Sequence, residues 1–290
     1  MRNRFTKLLG QLSLLAATTL VGGILAGTLL RVSPGFDADE RELDARLDEA
    51  SRRSIRTEHM VNRDLFRFYV RYFRAALHGD LGMSESFQRP IGELIRYRAP
   101  VTAGIMATGI VGGWALAFAV AIPAVLCRQR FWAGSLGLLT GVLMCLPSAA
   151  LAILVFNQGG PTRGIVVLVI FPRVFDYLRN LLQDAYSRPH ILTARAKGLG
   201  TGRILFRHVL PAAAPQLLAL AGVSVTMAFG AAIPVETLCD LPGIGQLAWK
   251  AALARDLPVL VVLTAIITLA TELCSSVSDW VGRNGEARRI

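Results

Sequence analysis

Few side chains in this chain are placed to do chemistry, and they are scattered. Four cysteines (Cys127, Cys145, Cys239 and Cys274) would serve as disulfide partners, thiolate nucleophiles or metal ligands. Four histidines (His59, His78, His190 and His208) would bind a metal or move protons. None stands at metal-ligand spacing from another, and three of the cysteines fall in or at apolar runs, with only Cys239 facing outward. No disulfide framework or metal site follows. The segment "AGSLG" (133–137) has the spacing of a nucleophile elbow, but it begins with Ala133 and lies inside an apolar helix with no strand before it. A phosphate loop is missing too, because none of the three lysines follows a glycine. The chain is therefore expected not to be an enzyme, not to hydrolyse ATP, and to bind no cofactor or metal itself.

One stretch concentrates charge: "TARAKGLGTGRILFRHVLP", residues 193–211. Ile191, Ala194 and Ala196 flank basic positions, "KGLGTG" breaks the helix, and "RILFRHVLP" resumes it. A short helix, a glycine break and a second short helix parallel to the membrane make a knob that fills a groove on another protein. On charge alone, a basic loop held on anionic lipid headgroups is an equal reading.

The elements that hold this stretch are greasy. The chain has 290 residues, 53% of them hydrophobic, a mean hydropathy of +0.49 and a net charge of +11. Apolar runs occupy 8–30, 101–127, 131–156, 212–233 and 258–271, the last reaching spanning length only by continuing through Glu272 to Val281. A helix needs roughly 20 such residues to cross a bilayer. A sixth, weaker run, 164–182, is interrupted by Arg173, Asp176 and Arg179. The pattern predicts an all-α integral membrane protein of six spans. Arg2, Arg4 and Lys7 resemble a signal-peptide flank, but the first run is longer than a signal core of roughly 7–15 residues and ends in no cleavage site, so it is expected to remain as a span. Glycine pairs four apart, Gly23 and Gly27, Gly109 and Gly113, Gly137 and Gly141, are expected to let helices approach closely.

Short-loop cations set the orientation. With the amino end inside, the inner pieces hold Arg2, Arg4, Lys7, Arg128, Arg130, Arg188, Arg195, Lys197, Arg203, Arg207, Arg283, Arg288 and Arg289. The outer pieces 157–163 and 234–257 hold only Arg163, Lys250 and Arg255. Both chain ends are expected in the cytoplasm, and the net charge reflects topology and anionic lipid, not nucleic acid.

The charged stretch resembles the cytoplasmic coupling ("EAA") loop of ABC importer permeases. Gly198 takes the glycine position, Leu210 and Pro211 the later Leu-Pro, and Ala194 the second alanine, while Leu192 and Thr193 replace the Glu and first Ala. "TARAKGL" resembles the peptide-permease branch, in which that glutamate is usually missing. "LLRVSPG" (29–35), "GDLGMS" (79–84), "RPIGELIRYRAPVT" (89–102), "LPS" (146–148) and "VETLCDLPGIGQLAWKAALARDLPVL" (235–260) resemble the same branch in order, covering nearly the whole chain. The resemblance is to the first-type membrane subunit of dipeptide, oligopeptide and nickel importers.

That resemblance implies a bacterial inner-membrane permease. Residues 1–30 would be the amino end and first span, 31–100 an outer loop, and 101–290 a core of five spans with its coupling loop at 184–210. Ala194, Arg195, Lys197, Gly198, Leu199, Leu210 and Pro211 would dock on a cytoplasmic ATPase. The implied partners are a second six-span permease, two ABC ATPases that use ATP and Mg, and an extracytoplasmic solute-binding protein. The cargo, peptide, nickel complex or other solute, stays open. The alternative is a non-transporting scaffold or regulatory pseudo-permease that keeps the ATPase dock. Three features depart from the family: the short 157–164 link, a "GRNGEARRI" tail without Asp-Pro-Arg, and Arg173 with Asp176 inside a span, where either they pair with each other or the helix enters the interface early, pairing being the expectation. In the loop 36–82, Phe66, Tyr69, Tyr72 and Phe73 alternate with Arg67, Arg71 and Arg74, which suits headgroup depth or contact with a binding protein.

Overall fold

The computed structural model describes residues 79–126 and 130–287, together with helical positions 17, 18, 21, 22, 25 and 28. The expectations for the rest of residues 1–78, including the aromatic and arginine segment, lie outside the described residues. Among the described residues no strand forms, only an isolated antiparallel bridge between Met83 and Pro90.

Helix α1 (Ile91–Leu126) begins well before the apolar run, so Arg96 and Arg98 ride on it. Pro90 supplies the first acceptor carbonyl, and Glu93 in the first turn suits the positive end of the helix. Helices α2 (Arg130–Cys145) and α3 (Ser148–Asn157) replace the single third span expected from 131–156: they meet at a 100° bend. Pro147 causes the break, for it holds an extended backbone (φ −58°, ψ 144°) and disfavours helix in the residue before it. Helix α4 (Thr162–Ser187) is followed by α5 (Pro189–Ala196) and α6 (Thr201–Leu238), whose Leu205–Val209 stretch is wound as a π-helix. Helices α7 (Ile244–Leu253) and α8 (Leu257–Ala287) complete the described chain. α1, α6 and the 257–278 part of α8 are long and apolar enough to cross a membrane, and the bent α2–α3 pair would be a fourth crossing if counted as one. α4 has 26 residues, but its charges lower its hydropathy.

The chain divides into two compact units, 1–99 with 247–269, and 100–246 with 270–290. In the second, the apolar face of α4 is wholly buried at Ile165, Ile170, Phe175, Leu178 and Leu182. α1 presses on that helix through glycine: a Cβ at Gly113 would stand 2.8 Å from Ile170, and one at Gly109 would collide with Val166. The other described glycine pair does not pack this way. Nothing stands within 4 Å of a Cβ at Gly141, and only the Arg179 side chain of α4 approaches one at Gly137, at an ordinary 3.7 Å. Gly23 and Gly27 lie outside the described residues. Trp114 Nε1 donates to Ser224 Oγ at 3.0 Å, tying α1 to α6.

Also in this unit, the buried Glu236 near the end of α6 accepts the backbone N–H of Gly245 (2.6 Å) and Gln246 (3.3 Å), while Thr102 accepts that of Ile244 (2.8 Å). These are donors a helix start cannot satisfy internally. A Cβ at Gly243 would fall on the Glu236 carboxylate, so the "PGIG" glycines are steric requirements. In the first unit, Asp256 plays the corresponding part. Fully buried, it caps α8 by accepting from Val259 N–H (3.3 Å) and also receives Ser84 Oγ (2.5 Å) and Ser86 N–H (3.0 Å).

Candidate functional site

The turn between α4 and α6 is built from local rules. Pro189 forces Arg188 into an extended conformation (φ −70°, ψ 143°), which ends α4, and then opens α5, where its missing N–H costs nothing. α5 is eight residues long and stands on an apolar base: Ile191 is wholly buried and Ala194 nearly so, three apart on one face. It closes in a Schellman motif. Gly198 takes φ +74°, its N–H bonds Arg195 O at 2.9 Å, and Leu199 N–H reaches Ala194 O at 3.3 Å. The left-handed conformation is why glycine stands there; a Cβ would meet nothing within 4 Å, so the demand is conformational and not steric.

α6 starts directly after Gly200, so the second short helix expected parallel to the membrane is instead the first turns of the long helix. Ile204, Leu205 and Val209 are buried beneath it. The π turn follows from Pro211, which has no N–H to offer and whose ring crowds the preceding turn; Leu210 N–H bonds Leu205 O, five residues back. Arg195 lies over the Tyr186 ring, 5.5 Å from its centroid, linking α5 to the end of α4. Burial pushes the Tyr186 phenol up, and the neighbouring Arg195 pulls it part of the way back. Arg188 pairs with Asp184 at 3.0 Å, exposed and of little energetic weight.

The residues singled out in the sequence divide by direction. Arg195, Lys197, Gly198 and Pro211 are exposed, whereas Ala194 is buried and Leu199 and Leu210 are half-buried against the protein's own core. Two side chains that the sequence pattern did not single out form the apolar part of the outer face: Leu192, 57% exposed, and Phe206, 69% exposed. The signal for Phe206 was present, a large ring between Arg203 and Arg207. Elsewhere, Arg173 and Asp176 form no ion pair: Arg173 is exposed, and Asp176 accepts from Thr140 Oγ1 at 3.2 Å. Cys239 is buried, which raises its thiol pKa and shields it from solvent. No cluster of three or more His, Cys, Asp or Glu able to hold a metal occurs among the described residues.

Residues 109–290 match the family of binding-protein-dependent transport system inner membrane components. The chain belongs to that family. It is 25% identical over 289 residues to the oligopeptide transport system permease protein AppB of Bacillus subtilis (strain 168), covering 88% of this chain and 90% of that one. It is 28% identical over 237 residues to the OppB permease of Salmonella typhimurium, covering 74% and 77%. It is 27% identical over 263 residues to OppB of Escherichia coli (strain K12), covering 82% and 84%. The match begins inside α1 and takes in every later helix, so the turn around Gly198 and the segment 239–257 both belong to the family's component. The protein is thus an all-helical, multi-pass inner-membrane permease component.

Proposed function

We propose that this chain is the permease subunit of an ATP-driven peptide importer and couples to its ATPase through the turn at 184–210. The observation that carries the proposal is the two-sidedness of that turn. Ile191, Ala194, Ile204, Leu205 and Val209 anchor it to α4 and α6, while Leu192 and Phe206 stand exposed among Arg195, Lys197, Arg203 and Arg207. Large apolar groups ringed by cations suit an apolar cleft with an acidic rim. A rigid knob whose base is fused to two long helices transmits closure of that cleft into a shift between two helix packings. The names of the relatives, oligopeptide transport permeases, support peptide as the cargo.

In this proposal the chain has no catalytic role; two cytoplasmic ATPases bind ATP and Mg, and a binding protein delivers cargo on the outer side. A second six-span subunit completes the path, and both chain ends lie in the cytoplasm. The test is a reconstituted complex. Leu192→Glu together with Phe206→Glu should abolish cargo-stimulated ATP hydrolysis while the subunit still inserts. Undiminished stimulation would reduce the turn to a lipid anchor, and hydrolysis without uptake in the unaltered complex would favour the scaffold.

A further inference from the structure

Among the described residues, most helix surface that faces outward within the apolar runs is itself apolar. α1 shows Val111 and Leu116, α2 shows Leu138, Leu139 and Val142, α3 shows Ile153 and Leu154, and α6 shows Leu218 and Val223. α4 is different. Its inner face is packed against α1 and α6, but its outward face carries Arg173, Tyr177 and Asn180, spaced four and three apart and therefore on one stripe. Arg173 sits about 17 Å from the outer end of the helix and about 21 Å from the inner end, near mid-span.

A guanidinium exposed at that depth does not belong against lipid, where charge is expensive. Nor does the stripe look like a helix-packing seam. Such seams are lined with small residues, and the seam α4 does use meets Gly109 and Gly113 of α1. Long hydrogen-bonding side chains suit water. The neighbouring carboxylate on α4, Asp176, is turned to Thr140, so this helix supplies no partner for the cation.

We propose that the Arg173–Tyr177–Asn180 stripe lines the water-filled solute path, and that Arg173 receives an anionic group of the passing cargo. For a peptide that group is the terminal carboxylate, which a guanidinium meets with two parallel hydrogen bonds, with Tyr177 and Asn180 offering further hydrogen bonds one turn and two turns inward. This rests on the importer reading above.

The experiment uses the complete importer in liposomes with pentaalanine and its carboxy-terminal amide as probes. The binding protein's own preference between them is common to all variants and cancels in the comparison. Arg173→Gln should raise the KM for the free acid about tenfold relative to the amide, as loss of a charge-assisted contact predicts, and Arg173→Lys should restore part of it, returning the charge without the two-pronged geometry. A second measurement stands apart from transport. Arg173→Cys, in a background with Cys127, Cys145, Cys239 and Cys274 replaced by serine, should react with a hydrophilic thiol reagent and be protected by pentaalanine. Equal losses on both probes, failure of the glutamine variant to assemble with the second subunit, or a cysteine that stays unreactive would each overturn the proposal. Absence of uptake by the unaltered importer would instead count against the importer reading itself.

Discussion

Twice the chain leaves a long helix, makes a short one and enters another: α4 to α5 to α6 at the Gly198 turn, and α6 to α7 to α8 in the segment 239–257. The two crossings are fixed by different forces. At the second, buried carboxylates meet the helix starts, Glu236 for α7 and Asp256 for α8, and the helix ends place Asp240 (φ 49°) and Arg255 (φ 56°) in the left-handed region. A non-glycine residue held there costs about 1 kcal/mol, and it persists where surrounding bonds over-determine it. At the first, neither α5 nor the start of α6 has a side-chain cap, and the one left-handed residue is a glycine in open space. Buried polar bonds brace each end of the second crossing within its own unit, whereas an apolar base and local backbone bonds hold the first and leave its outward face exposed.

Removing a buried carboxylate should have the largest effect. Glu236→Ala strands the N–H groups of Gly245 and Gln246 in a dry site and opens a cavity, a loss of about 3 kcal/mol, read as a lower unfolding temperature in detergent. Gly243→Ala should act in the same direction by pushing the carboxylate aside, and a stable Gly243→Ala protein would break the account of "PGIG". Asp256→Ala comes next, at about 2 kcal/mol, because a helix cap and the Ser84 and Ser86 bonds go together.

Gly198→Val should cost no more than about 2 kcal/mol of backbone strain. Yet it should lower cargo-stimulated ATP hydrolysis, and Gly198→Asn should keep more of it, because asparagine tolerates a left-handed backbone. If the valine variant unfolds as readily as Glu236→Ala, the contrast between the crossings fails.

The smallest effect concerns Cys239. Its thiol pKa lies above the ordinary value, so at a given pH less thiolate is present. An impermeant maleimide at pH 8 should label it more slowly than a cysteine placed at the exposed Gln158, with the gap narrowing as pH rises. The folded state holds this proton where the unfolded chain has lost it, so alkaline pH above the usual thiol range should weaken the fold slightly. Rapid labelling at pH 8 would show the end of α6 to be looser than the buried bonds require.

The class of this protein was legible from composition and blocks of apolar residues, because crossing a bilayer imposes length and hydropathy on any helix. The Gly198 turn was legible too, since glycine after a helix and a proline beyond it follow from backbone sterics that act within a few residues. Other features needed the fold. The 100° bend at Pro147 was not separable from a continuous apolar run, because composition says nothing about direction. Arg173 and Asp176 lie three apart on one helix, a spacing that suits a pair, but only the packing of α2 against α4 turned the carboxylate to Thr140. The loop cations put Cys239 on the expected outer side but could not say that packing would bury it. Ala194, which takes the place of the coupling motif's second alanine, faces the protein's own core, while Leu192 and Phe206 face out. Which side of a short helix is buried depends on contacts with residues distant in sequence, and no local pattern contains them.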